Sequence, residues 1–174
     1  MQLKFFVIVL VLVFIFAVSS LAAGFNRLSY PLWVKDEIGN RIKQENPPRR
    51  IICLYAPVTD LLLKMGLKKQ IVAVSDDSIV PADIIEKIKS FNPDLVFLLP
   101  NTYKEHEVFF KNSKLNCFVI KPINSLDRQF AVISLLGRAT NRQNSGYALK
   151  QRIKRQNEWK RTNLVKEKKG IYNK

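Results

Sequence analysis

Four short apolar runs alternate with stretches of helical periodicity along this chain. They are IICLY (Ile51–Tyr55), QIVAV (Gln70–Val74), DLVFLL (Asp94–Leu99) and NCFVI (Asn116–Ile120). Apolar runs this short, bounded by proline and polar residues, read as buried strands rather than core helices. Strands joined through helices need right-handed crossovers, which set the strands parallel and cover both faces of the sheet. The pattern therefore predicts an α/β chain: one flavodoxin-like or Rossmann-like lobe with a parallel sheet. In such sheets ligands sit outside the carboxyl ends of the strands. Those ends here are Tyr55–Thr59, Ser75–Ser78, Pro100–Tyr103 and Lys121–Asn124.

The connections follow from local chemistry. Asp36–Gly39 lies between two extended runs and predicts an N-terminal hairpin. Thr59 is placed to cap a helix with Leu61, Leu62 and Met65 inward and Gly66 as its left-handed stop. A short helix is expected from Ala82 to Phe91, with Ile84, Ile85 and Ile88 inward and Asp83 and Glu86 near its positive start. Asn92-Pro93 ends it. A helix with Val108, Phe109 and Phe110 follows, then one over Ser125–Leu136 closed by Gly137. From about Arg142 to Val165 the pattern predicts one long polar helix.

Residues 1–23 read as an address. Lys4 supplies a positive start, Phe5–Val18 an unbroken apolar run, and SSLAAG small residues for a peptidase. That is the layout of a cleavable secretory signal peptide, with cleavage expected after Ala22 or Ala23. The run is shorter than the ~20 residues a helix needs to span a bilayer. An uncleaved anchor is the other reading.

Charge separates the two ends of the chain. The net charge is +15, and residues 141–174 contribute 11 basic and 2 acidic side chains to it. Such a tail is either a solvated helix face or a contact for anionic lipid or nucleic acid. Only Trp159 supplies an aromatic ring in Lys150–Lys169, too few for a single-strand binder. Several chemistries lack their residues. There is no G-x-G-x-x-G, no phosphate-binding loop and no G-x-S-x-G elbow. With one His and two Cys no His/Cys zinc site can be assembled. His106, on a polar helix start, reads as a solvated residue. Asp76-Asp77 offers too few oxygens for calcium. Cys53 and Cys117 both lie in strand-like runs, where a thiol behaves as a small hydrophobe; a bridge requires neighbouring strands. No catalytic residue, metal site or cofactor is expected.

The order of the segments carries a resemblance. V-K-D-E-I-G-N-R-I (Val34–Ile42) is followed by P-P-R-R-I-I-C-L-Y-A-P-V-T-D-L-L-L-K-M-G (Pro47–Gly66) and Q-I-V-A-V-S (Gln70–Ser75). Then come I-E-K-I-K-S-F-N-P-D-L-V-F (Ile85–Phe97) and S-L-L-G-R-A-T-N (Ser134–Asn141). From about residue 32 onward this resembles the class III substrate-binding proteins of ABC importers, which carry cobalamin, haem and ferric siderophores. Asp60 stands where that family usually has Glu, and the stretch between Ser78 and Asp83 is shorter than usual.

The resemblance implies a domain plan: signal peptide 1–23, hairpin segment 24–46, an iron/cobalamin-type periplasmic-binding lobe over 47–141, and 142–174 as the long basic helix that links two lobes. K-K-G-I-Y-N-K (Lys168–Lys174) would open the second lobe, so the chain reads as truncated. The implied function is an exported, non-enzymatic solute-binding component for iron complexes or cobalamin, in the periplasm or otherwise outside the cytoplasm. Its partners would be a metal-chelate or corrin-type ligand and an ABC permease, with no nucleic acid. Tyr55, Ser75, Asp76, Asn101 and Tyr103 would face the ligand, their aromatic rings suiting a flat ligand face. Glu86 would dock on permease arginines. A half-protein without transport role and a basic surface-binding protein are the rival readings.

Overall fold

A computed structural model describes residues 29–75 and 80–171, with side chains of the last helix described as far as residue 164. The expected signal peptide and Asp76 lie outside the described residues.

Strands β1 (Leu32–Lys35) and β2 (Arg41–Gln44) form the expected antiparallel hairpin, with Val34 opposite Ile42. Side chains alternate along them, so Val34, Ile42 and Gln44 turn inward while Lys35, Arg41 and Lys43 stay in water. Asp36 closes the turn: its Oδ1 accepts the N–H groups of Ile38 (3.1 Å) and Asn40 (2.7 Å). Gly39 supplies the positive φ, +100°, that the turn requires.

The main sheet holds β3 (Ile51–Cys53), β4 (Ile71–Val74), β5 (Leu95–Leu98) and β6 (Cys117–Val119), all parallel, in the order β4-β3-β5-β6. Between them run α1 (Ala56–Lys64), α2 (Ala82–Lys87) with a 3-10 turn at Ile88–Phe91, and a pair, α3 (Pro100–Glu105) and α4 (Glu107–Ser113). After β6 come α5 (Leu126–Ala139) and α6 (Gln143–Ile171). Alternation in the strands builds two apolar layers. Ile51, Cys53, Leu95, Phe97 and Phe118 face α1, α5 and Leu149 of α6, with Val34 and Ile42 of the hairpin in the same layer. Ile52, Leu54, Val96, Leu98 and Val119 face Ile85 and Ile88 after β4 and Phe110 of α4. The α/β lobe read from the sequence is the lobe observed.

Several local expectations change. Thr59 does not cap α1. The helix starts four residues earlier, where Tyr55 is extended and its carbonyl accepts the N–H groups of Val58 and Thr59. Proline at the first turn lets the helix begin there without a capping side chain. Gly66, at φ +83°, ends α1 as expected, with the Leu67 N–H returning to Leu62. The helix expected around Val108–Phe110 is present as α4 and starts after His106, but a further short helix, α3, precedes it, and Val108 is exposed. Gly137 lies within α5 and does not stop it. The stop is Thr140, bonded to the Leu136 carbonyl at 2.7 Å, followed by Asn141 at φ +54°. Gly137 instead lets α6 approach: a Cβ there would lie 3.2 Å from Gln143 Cα. Helix α6 continues through Ile171, so Lys168–Ile171, expected to open a strand, is helical. Strand β5 separates β3 from β6, and Cys53 and Cys117 are not joined.

Candidate ligand-binding site

The strand order sets where a ligand can sit. From β3 the chain leaves toward β4, and from β5 it leaves the other way toward β6. Their carboxyl ends therefore diverge and open a crevice. Tyr55 follows β3, Ser75 follows β4 and Asn101 follows β5, so these three share one end of the sheet.

Their states differ. Asn101 is exposed in the first turn of α3 and its side chain has no partner among the described residues. Ser75 is buried, with its N–H donated to the Cys53 carbonyl at 3.0 Å. Tyr55 is half-buried against the core, and its hydroxyl accepts the Ile123 N–H at 3.0 Å. Tyr55 thus ties the exit of β3 to the exit of β6. Tyr103 stands apart from these. Its ring stacks on Phe110 (5.8 Å between centroids, 8° between planes) in the second apolar layer. Burial raises its phenol above the ordinary range, with the Cys117 thiol adding to the effect. It lines a depression of about 260 Å³ with Asn40, Arg41 and Lys114, on the side of β6 and the hairpin.

A network at the end of β6 was not read from the sequence. Glu37, in the hairpin turn, makes a two-point ion pair with Arg128 of α5. Glu37 also accepts the Lys121 N–H at 2.7 Å, and Arg128 reaches the carbonyls of Lys121 (3.0 Å) and Pro122 (3.3 Å). The Arg128 guanidinium is held above its ordinary pKa, first by the hydrogen bonds to Glu37. Asp36 extends the network, its Oδ2 accepting the Val119 N–H at 3.2 Å. The only sequence signal was the acidic pair in V-K-D-E-I-G-N. It marked a turn and gave no hint that the turn folds onto a strand some 80 residues away.

Beside this network lies a depression of about 500 Å³, lined by Ile123, Asn124, Ser125 and Gln129 and by Ile153, Gln156 and Asn157 of α6. Its walls are amides and a hydroxyl with apolar contributions from Ile123, Leu126 and Ile153. Lys64 of α1, paired with Asp60 at 2.6 Å, adds an ammonium group, so the lining can donate and accept hydrogen bonds and holds one cation. The sequence reading placed Ile123 and Asn124 at a ligand-facing strand end, but named neither as a contact and did not reach the residues of α5 and α6. They lie across the fold from one another, and only the return of α6 along α5 unites them.

Glu86 is exposed and has no bonding partner among the described residues. It is the fifth residue of α2, beyond the first turn, so the expected helix-start position belongs to Asp83, which pairs with Lys87 at 3.6 Å. His106 Nε2 lies 3.2 Å from the Val80 carbonyl, linking the α3–α4 joint to the segment before α2. Among the described residues no three of His, Cys, Asp and Glu gather to hold a metal ion, and no helix is long and apolar enough to cross a membrane.

No protein-family model matches the sequence, and neither does any curated protein. Solved structures match its fold. An ABC-type Fe3+-hydroxamate transport system from Saccharomonospora viridis aligns at TM-score 0.57 and 19% identity, over 73% of this chain and 54% of that one. A periplasmic solute binding protein from Veillonella parvula aligns at TM-score 0.61 and 18% identity, over 74% and 46%. The heme binding protein HmuT aligns at 0.59 and 17% identity, over 75% and 47%. The chain spans about half the length of these structures. The likeness is to class III periplasmic binding proteins for iron-siderophore complexes and haem, and at these identities it is a likeness of fold.

Proposed function

We propose that this chain works as the first lobe and connecting helix of an exported solute-binding component of an ABC importer, for siderophore or haem iron complexes or for cobalamin. It is a binding protein and not an enzyme. The observation that carries this reading is the sheet order β4-β3-β5-β6 with the hairpin folded onto β6 and α6 returning along α5, an arrangement that aligns with half of each solved structure. The ligand lies at the carboxyl end of the sheet, over Tyr55, Ser75, Asp76 and Asn101, with Tyr103 at the β6 side. Glu86 faces the permease, and the protein acts outside the cytoplasm.

Taken alone, this lobe offers a one-sided shelf, whereas small-molecule sites bury ~70–90% of their ligand. Affinity for the lone chain is therefore expected to be no better than ~1 mM. Titration with haem, cobalamin and a ferric catecholate, followed by Trp33 and Trp159 fluorescence, tests the reading. Saturable binding of one of the three, weakened by Asn101→Ala, supports it. No response to any of them at low millimolar concentration overturns it in favour of a chain without transport role.

A further inference from the structure

One face of α6 carries charge that the fold does not use. Gly146 and Leu149 are buried and Ile153 packs on the core, which fixes the side of the helix turned to the lobe. At 100° per residue, Arg152, Arg155 and Trp159 (i, i+3, i+7) share a face turned away from it. All three are exposed, Trp159 to 68%. Arg152, Lys154, Arg155, Lys160 and Arg161 enter no ion pair among the described residues. The whole helix holds nine basic and two acidic residues.

We propose that this face of α6 docks on an anionic lipid bilayer. Charge complementarity selects the partner class: phosphate headgroups take the guanidinium and ammonium groups, and anionic membranes attract basic segments in proportion to their cations. The exposed indole selects lipid within that class. A lone Trp among cations suits the headgroup level, where its ring is apolar and its N–H finds a partner. A nucleic-acid strand would need several rings to stack on, and a second copy of α6 would bring like charge against like. The helix is too polar to insert, so attachment is by surface adsorption and is screened by salt.

The test uses the full chain in a Trp33→Phe background, which leaves Trp159 as the sole indole; Trp33 is itself exposed. Binding is measured to vesicles of phosphatidylcholine, with and without about one third phosphatidylglycerol. The expected result is binding to the anionic vesicles with a blue shift of Trp159, lost at ~0.5 M salt. Each cation contributes about five-fold in partitioning, so Arg152→Gln with Arg155→Gln should weaken binding roughly 25-fold without changing the circular dichroism melt. The N-terminal apolar run is common to all variants, so the difference between them reports α6. Equal binding to both vesicle types, or an unchanged double variant, overturns the proposal. So does capture of a single-stranded oligonucleotide with no blue shift on vesicles, which would assign the face to nucleic acid.

Discussion

Glu37 and Arg128 stand 91 positions apart and meet through two hydrogen bonds, with both side chains largely withdrawn from water. The pair joins the hairpin to the first turn of α5 and frames the end of β6. Arg128→Lys keeps the charge and loses the two-point geometry. It should lower the unfolding free energy by about 2 kcal/mol, read from urea denaturation. A loss below ~0.5 kcal/mol would place the pair among surface ion pairs that contribute little.

Tyr55 and Asn101 sit at the same end of the sheet and should respond differently to substitution. Tyr55→Phe leaves the Ile123 N–H without its acceptor and should cost about 1 kcal/mol of stability. Asn101→Ala removes an exposed side chain with no partner among the described residues and should leave the melt unchanged while weakening ligand binding. If Tyr55→Phe melts as the wild type does, the hydroxyl is not the tie between the two strand exits.

The Cys117 thiol is pushed up to about 12, first by burial and then by the Asp36 carboxylate. A thiol that ionises less readily when folded contributes stability that is full below its unfolded pKa, ~8.5–9, and is lost as pH rises from there toward 12. Stability should therefore fall over that window, and more gently in Cys117→Ala. Parallel curves for the two proteins would show that another group sets the alkaline limb.

In an ordinary helix interior Gly→Ala stabilises by ~1 kcal/mol. Gly137→Ala should do the reverse, because the new methyl meets backbone, Gln143 Cα at 3.2 Å, at the start of α6. Thermal melts decide the sign. A gain in stability would mean that the turn from α5 to α6 yields freely.

Glu86→Ala should leave the melting temperature within error, since the carboxylate has no partner among the described residues. Under the transport reading it should reduce uptake of the ligand in a complemented strain. Full uptake would remove Glu86 from the docking surface.

The lobe was legible because its strands are apolar runs of five or six residues, each followed by a helix signal. Ile51–Cys53 and Leu95–Leu98 are buried on both faces and read that way in the sequence. Local endings were less legible. Gly137 looks like a stop, and only the approach of α6 shows it to be a gap left for another backbone. Thr59 has the chemistry of a cap, yet Pro57 had already allowed the helix to begin. The site was legible as a place, the carboxyl end of the sheet, and less so as a list of residues. Tyr103 follows β5 as expected, but its ring stacks on Phe110 of the next helix. Glu37 and Arg128 carry no local pattern, because their pairing exists only after the hairpin folds onto β6.

That folding makes the two borders of the sheet unequal. At Val119 the N–H is taken by Asp36 Oδ2 and the carbonyl by the Glu37 N–H, so the β6 border is occupied there by a turn rather than by a strand. On the far border, among the described residues, no strand pairs with the outer side of β4, and Val74 is exposed beside it. An unpaired border is a template for another chain. Lateral growth of this sheet, in a swapped pair or a misassembled aggregate, would then add beside Ile71–Val74, so a charge or proline placed in that strand is the change that should improve recovery of soluble protein.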